Sequence, residues 1–226
     1  MCNNKWNDIE SKVKDTKNLC DLFILWRKAH IVEEEDSYEK TVPKDKKNKD
    51  KDNKYKKPKD LNKFKESFCK DGFLIDSHNK RADILFVLKE SVTIDKKTGT
   101  EGEYRDTFWL KCYIKQGCPE RDATAKKYLS WVKRKCKLNG VDRLDNIAYI
   151  NLNKRGGFGL THHPSLNKYV EKYKKFIKKQ IEIINPKIII CGATKGYVSN
   201  VLEDSEYLNT VKIIDSYHPS CNREKR

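Results

Sequence analysis

No apolar run in the 226-residue sequence exceeds five residues; Ile84–Leu88 and Ile188–Cys191 are typical. A helix that crosses a bilayer needs about 20, so no membrane span is expected. An apolar leader is missing as well. The first residues, Met1 to Asp8, are polar and carry an early acid, which argues against a secretory signal or transit peptide and predicts a cytoplasmic protein. The eight cysteines contain no Cys-x-x-Cys pair, and only Cys112 and Cys118 lie close together. Disulfide frameworks belong to small secreted chains, and metal clusters space their ligands closely. Reduced thiols and no metal are therefore expected. His162-His163-Pro164 and His78 do not change this, since adjacent loop histidines seldom ligate one ion. Internal repeats are absent.

Arginine is scarce too. Of the 49 basic residues 9 are Arg and 40 are Lys, set against 33 acids, for a net charge of +16. Such an excess suits a nucleic-acid partner, because neutralised phosphates release counterions. Lysine bias on a solvated surface gives the same number. Residues 1 to 60 hold 16 basic and 13 acidic residues, net +3, so +13 belongs to the remainder.

Apolar positions from Ile9 to Ala29 recur at helical spacing and predict a helix that docks by its C-terminal half. Residues 1–42 are read as an N-terminal helical extension. Residues 43–60, with nine Lys, four Asp and two Pro, read as a solvated linker. Residues 61–226 read as the main domain. A short helix is expected at Leu61–Cys69, then four strands: Ile84–Leu88, Ile147–Leu152, Ile188–Cys191 and Val211–Asp215. Helices are expected between them at Ala123–Leu138, Leu166–Ile184 and Lys195–Leu202, the second with a solvated lysine face. Short apolar strands alternating with amphipathic helices predict an α/β fold: a three-layer α/β/α domain around a mostly parallel four-stranded sheet.

Ligands of such sheets bind beyond the carboxyl ends of the strands. The residues there are Lys89-Glu90-Ser91, Asn151 to Gly159, Gly192-Ala193-Thr194 and Tyr217-His218-Pro219-Ser220. In this order they resemble the uracil-DNA glycosylase superfamily, in particular its iron–sulfur branch. There the first strand ends in a Gly-Glu-Ala-Pro-Gly type motif, matched in place by Lys89-Glu90-Ser91. The second reads much like Tyr-Ile-Thr-Asn-Val-Val-Lys-Cys-Arg-Pro, matched by Tyr149-Ile150-Asn151-Leu152-Asn153-Lys154-Arg155. The third follows Asn-Pro and ends in Gly-Ala, matched by Asn185-Pro186 and Gly192-Ala193. The fourth ends in Tyr-His-Pro-Ala or His-Pro-Ser, matched by Tyr217 to Ser220. The resemblance covers about Arg81 to Arg223. Two departures bear on it: Lys89 stands where the family has Gly, with the following Pro-Gly missing, and Arg155 occupies the cluster-ligand position, so no iron–sulfur cluster is expected.

The resemblance implies a monofunctional DNA glycosylase that needs no cofactor, acts as a monomer and binds DNA. Its alternative is a non-catalytic nucleic-acid-binding protein of the same fold. Hydrolysis of an N-glycosidic bond requires an extruded base, a read edge and a water helped by a carboxylate. Glu90 suits the water, unless it is a surface acid paired with Lys89. His218 suits the leaving base as a hydrogen-bond donor, unless it is an ordinary loop residue. Asn151 carries donor and acceptor on one amide and can read a uracil-like edge, although Asn is also a common turn former. The aromatic that the family stacks on the base is assigned to Phe108, with Tyr104 and Trp109 as neighbours; a core role is the alternative. Lys154, Arg155, Gly156 and Gly157 join cations to a flexible backbone suited to phosphate, though without the Lys-Ser/Thr ending of a P-loop. Ser220 and Arg223 are assigned to phosphate beside them.

Overall fold

The computed structural model describes residues 2–34, 67–74, 81–92, 123–157 and 161–221. In chain order these form α1 (Cys2–Lys12), α2 (Leu19–Val32), β1 (Gly72–Phe73), β2 (Ile84–Val92), α3 (Ala123–Leu138), β3 (Ile147–Gly157), α4 (His163–Lys172), α5 (Lys174–Ile184), β4 (Ile188–Gly192), α6 (Lys195–Leu202) and β5 (Lys212–Ser216). Two 3-10 turns, Val13–Asp15 and Glu206–Asn209, link α1 to α2 and α6 to β5. The protein is therefore mixed α/β. Among the described residues no helix is long and apolar enough to cross a membrane.

One sheet of five strands runs in the order β1-β3-β2-β4-β5. β4 pairs in parallel with β2, Ile84 opposite Ile188, and with β5, Ile188 opposite Lys212. β1 pairs with β3 antiparallel, Gly72 opposite Tyr149. This corrects the expected four strands. A two-residue strand is too short to show an alternation, and only its pairing reveals it.

The chain separates into two compact units. The first comprises Met1–Lys70, Glu90–Arg105 and Leu152–Gln180, and the second Asp71–Lys89, Asp106–Asn151 and Ile181–Arg226. The expected boundaries at 42 and 60 lie outside the described residues. The linker 43–60 lies outside the described residues, as does 61–66 of the expected helix, while 67–70 has no regular structure.

In the second unit, Ile84, Phe86 and Leu88 alternate along β2 and pack with Trp131, Val132 and Cys136 of α3 and with Ile147 and Tyr149 of β3. Period two on the strand meets the helix stripe here, as patterning requires. Asn185 stops α5 in the left-handed region, at φ 48°, a conformation Asn tolerates at a helix end. Pro186 then admits no further turn.

In the first unit the expected single helix from Ile9 to Ala29 is two. The Thr16 hydroxyl turns back to the Val13 carbonyl at 2.7 Å, and Asn18 caps α2 by accepting the Asp21 amide at 2.9 Å. α2 buries Leu22, Phe23, Trp26, Ala29 and His30. The helix expected over Leu166–Ile184 is also two, meeting at Tyr173. Its lysine face is not simply solvated: Lys175 bonds Glu10 at 2.8 Å, Lys179 the Lys14 carbonyl at 2.7 Å, and Lys172 lies 4.4 Å from the Trp6 ring centre.

Candidate functional site

The chain passes from β2 out to β3, then returns to β4 on the other side of β2. The order reverses between β2 and β4, and in open α/β sheets the crevice at such a reversal, beyond the carboxyl ends, receives ligands. Gly192 to Thr194 and the loop after β5 gather there, beside Val87 and Leu88 of β2. The Thr194 hydroxyl donates to the Val87 carbonyl at 2.8 Å. Ala193, at φ 59°, donates its amide to the Ser216 carbonyl at 2.8 Å. A side chain at Gly192 would run into Leu88, and Pro219 Cδ lies 3.7 Å from where its Cβ would stand. Glycine lets β2, β4 and the His218 loop close on one another.

His218 is half-buried in this loop. Its Nδ1 accepts the Ser220 backbone amide at 3.3 Å and lies 2.6 Å from the Ser220 hydroxyl. An amide only donates, so Nδ1 bears no proton and the neutral ring carries its hydrogen on Nε2. Nε2 lies 3.3 Å from the Tyr128 hydroxyl, and the two rings meet edge to face, 5.6 Å apart. Burial, and after it the Lys89 charge, lowers the His218 pKa to about 4. Burial raises the Tyr128 pKa to about 12. Near neutral pH both groups are uncharged, and the Tyr128 oxygen accepts the Nε2–H.

Asn151 also belongs to the second unit. Only 3% of it is exposed, and its backbone amide donates to the Asp71 carboxylate at 2.7 Å. Asn151 lies inside β3, well short of its end at Gly157, so it is not the strand-end residue expected from sequence; the carboxylate anchors the strand's backbone.

In the first unit Glu90 is half-buried, and its Oε2 accepts the Asn153 side-chain amide at 3.4 Å. The Arg155 backbone amide donates to Asn153 Oδ1 at 3.0 Å and orients that amide. The Asn153 amide is one partner of Glu90.

Lys154 and Arg155 are 0% and 1% exposed. The Arg155 guanidinium is ion-paired with Glu33 and donates to the Tyr173 hydroxyl at 3.0 Å. That hydroxyl in turn donates to Glu33 at 2.8 Å. Burial alone would weaken the Arg155 charge, but Tyr173 and Glu33 outweigh it and hold the charge in place. Lys154 Nζ lies 5.2 Å from the Trp26 ring centre. Neither cation reaches the surface to meet phosphate, which corrects that expectation. In sequence a basic pair beside glycines looks exposed; the two aromatics and the acid that cover it come from distant segments. Gly156 and Gly157 end β3. Ser220 is exposed and its hydroxyl serves His218. Phe108, Tyr104, Trp109, Arg223 and His78 lie outside the described residues.

Four contributors escaped the sequence reading. Tyr128 looked like one more apolar position of the α3 stripe, and Asp71 had no motif. Asn153, two residues beyond Asn151 on the same strand, carried the only usable signal. Lys89 was noted merely as a departure. Among the described residues no cluster of three His, Cys, Asp or Glu could hold a metal ion. His162 and His163 begin α4, where His162 Nδ1 meets the Ser165 hydroxyl at 2.7 Å. Compared with known proteins, the chain matches no family model and no curated sequence.

Proposed function

We propose that the protein is a DNA glycosylase-like N-glycosyl hydrolase that removes uracil or another modified base extruded from DNA, as a cytoplasmic monomer without a cofactor. The fold assigned to it is the three-layer α/β/α domain, with helices on both faces of the sheet. The observation that carries the reading is His218: a neutral imidazole whose hydrogen is directed to Nε2, in the loop after a parallel strand. Such a donor stabilises negative charge developing on a carbonyl oxygen of the leaving base, and it is oriented before reaction begins.

In the proposed reaction the C1′–N bond breaks and its electron pair leaves on the base. Water adds to C1′ and gives a proton to the Glu90 carboxylate, which Asn153 holds in place. The base anion takes its proton from solvent. Asn151 is assigned the base edge and Phe108 the stacking face. Phosphate contacts fall to Gly156, Gly157, Ser220 and Arg223, without Lys154 and Arg155.

The test is excision. Single- and double-stranded oligonucleotides containing uracil, and a panel of other modified bases, are incubated with the folded protein and scored for alkali-labile abasic sites. Excision of at least one base, lost in His218→Leu, is expected; intact strands throughout overturn the proposal. A second reading, nucleic-acid binding without catalysis, is favoured by Lys89 standing where the family has Gly. It predicts salt-dependent binding that is indifferent to Glu90→Gln and His218→Ala, with no turnover.

A further inference from the structure

We propose that the outward face of α3 is the surface that grips the phosphate backbone of the DNA strand entering the site, through a row of cations at Lys126, Lys133 and Lys137. The inference rests on DNA as the partner and names a surface that the resemblance does not supply.

The sequence of α3 holds six basic residues and no acid. At about 3.6 residues per turn, positions 126, 130, 133 and 137 fall within about 60° of one another around the helix axis. All four are exposed, as are the flanking Lys127 and Arg134. The row runs about 16 Å along the axis, the length of roughly five nucleotides of one strand at about 3.4 Å each. With Lys154 and Arg155 buried, α3 supplies cations that phosphates can reach.

The other lysine-rich stretch shows what a helix face serving the fold looks like. On α4 and α5, Lys172 lies 3.7 Å from Glu33, Lys175 bonds Glu10 at 2.8 Å and Lys179 the Lys14 carbonyl at 2.7 Å. Within α3 no acid stands three or four residues from any cation, and Lys133 and Lys137, one turn apart, repel each other. An array of phosphates relieves that repulsion and releases its own counterions.

The apolar face of α3 is already buried, with Trp131, Val132 and Cys136 packed against β2 and β3. Charge without apolar surface is what α3 offers a partner. That suits a strand of phosphates, whereas a helix lying on a lipid surface inserts its apolar side. The helix also holds the His218 loop: Trp131 Nε1 donates to the Ser216 hydroxyl at 3.3 Å, and Tyr128 meets His218 Nε2 at 3.3 Å. A strand gripped along α3 is thereby placed by the same element that positions His218.

The experiment measures binding of a fluorescein-labelled single-stranded oligodeoxynucleotide by anisotropy between about 50 and 200 mM salt. The wild-type protein is compared with the double variant Lys133→Gln, Lys137→Gln and with the double variant Lys17→Gln, Lys168→Gln, which removes the same charge from exposed positions elsewhere. Each is checked for folding by circular dichroism. In the α3 variant the slope of log K against log salt should shrink by about 1.4–1.8, the value for two phosphate contacts, and binding near 0.1 M salt should weaken roughly 25- to 60-fold. The control variant should stay within about twofold of wild type in affinity. Equal losses in the two variants assign the effect to net charge and overturn the inference while the glycosylase reading stands. An α3 variant that binds like wild type does the same. So does a greater loss of binding to phosphatidylserine vesicles than to DNA in the α3 variant, which gives the face to lipid. A wild-type protein that binds no DNA overturns DNA as the partner, and the role of α3 with it.

Discussion

Arg155 and Glu33 form an ion pair whose side chains are 1% and 0% exposed, bridged by the hydroxyl of Tyr173. They come from the end of β3 and the residue after α2. Removal from water offsets most of their attraction, so the pair adds little net stability, yet each charge is costly if left alone.

Arg155→Met or Glu33→Gln should each destabilise the protein by about 3–5 kcal/mol, as loss of one partner of a buried pair does. The double change Arg155→Met with Glu33→Gln should cost clearly less than the sum of the two losses, because neither buried charge is left alone and Lys172, also 3.7 Å from Glu33, is partly exposed. Urea unfolding of the four proteins decides this. Additive losses would show that the pair is not coupled.

His30 should make the protein acid-sensitive. It is fully buried, its Nδ1 lies 3.3 Å from the Ser67 carbonyl and its Nε2 2.9 Å from the Tyr169 hydroxyl. Burial, then Arg155, holds its pKa well below 6.5. The unfolded chain therefore binds a proton that the folded one refuses. The stability linked to His30 is complete above about pH 6.5, the unfolded value, and is lost as pH falls below it toward the folded pKa. His218, lowered to about 4, acts in the same direction between about 6.5 and 4. Urea midpoints at pH 7.5 and 5 should fall for the wild type and fall less for His30→Gln.

The ring hydrogen of His218 should reside on Nε2. In 15N-labelled protein near neutral pH, Nδ1 should show the shift of an unprotonated nitrogen and Nε2 that of a protonated one. The imidazolium should appear only near pH 4. The opposite tautomer would remove the donor from the face toward Tyr128.

Gly192→Ala should cost about 1–3 kcal/mol, because its methyl enters space held by Leu88. Shortening the neighbour in Gly192→Ala with Leu88→Ala should make the two losses less than additive, which thermal unfolding would detect.

Glu90→Gln should lower excision by about 10²–10⁴-fold, the range for a general base, and leave the His218 titration where it was. Asn153→Leu should lower the rate in the same direction by less, since it removes only the group that holds the carboxylate. An excision rate insensitive to Glu90→Gln would remove the acid from the mechanism.

The sheet was legible wherever burial on both faces wrote an unbroken apolar run. Ile84–Leu88 and Ile188–Cys191 lie inside β2 and β4, and α6 matches its expected bounds. Breaks in helices were less visible. An apolar stripe crosses Tyr173 without interruption, and only the backbone shows that α4 ends before it. For the site, polar residues after the apolar runs drew attention to His218 and Glu90; the first lies in the loop after β5, whereas the second lies inside β2, which runs on to Val92, and partners from elsewhere in the chain left no local trace. Lys154 and Arg155 show the limit most clearly. Whether a cation meets solvent depends on Trp26, Glu33 and Tyr173, which the local sequence around β3 does not contain.

The first unit, drawn from three separated stretches, sets an order of events during synthesis. α2 emerges from the ribosome with Leu22, Phe23 and Trp26 uncovered, while Leu152 follows 126 residues after Trp26. At ordinary elongation rates that gap lasts on the order of ten seconds. Throughout it the nascent helix carries an apolar face, and Glu33 waits for the cation that will neutralise it. A chain released before residue 155 is made cannot complete this core, so premature termination should yield an aggregation-prone fragment, with no smaller working protein.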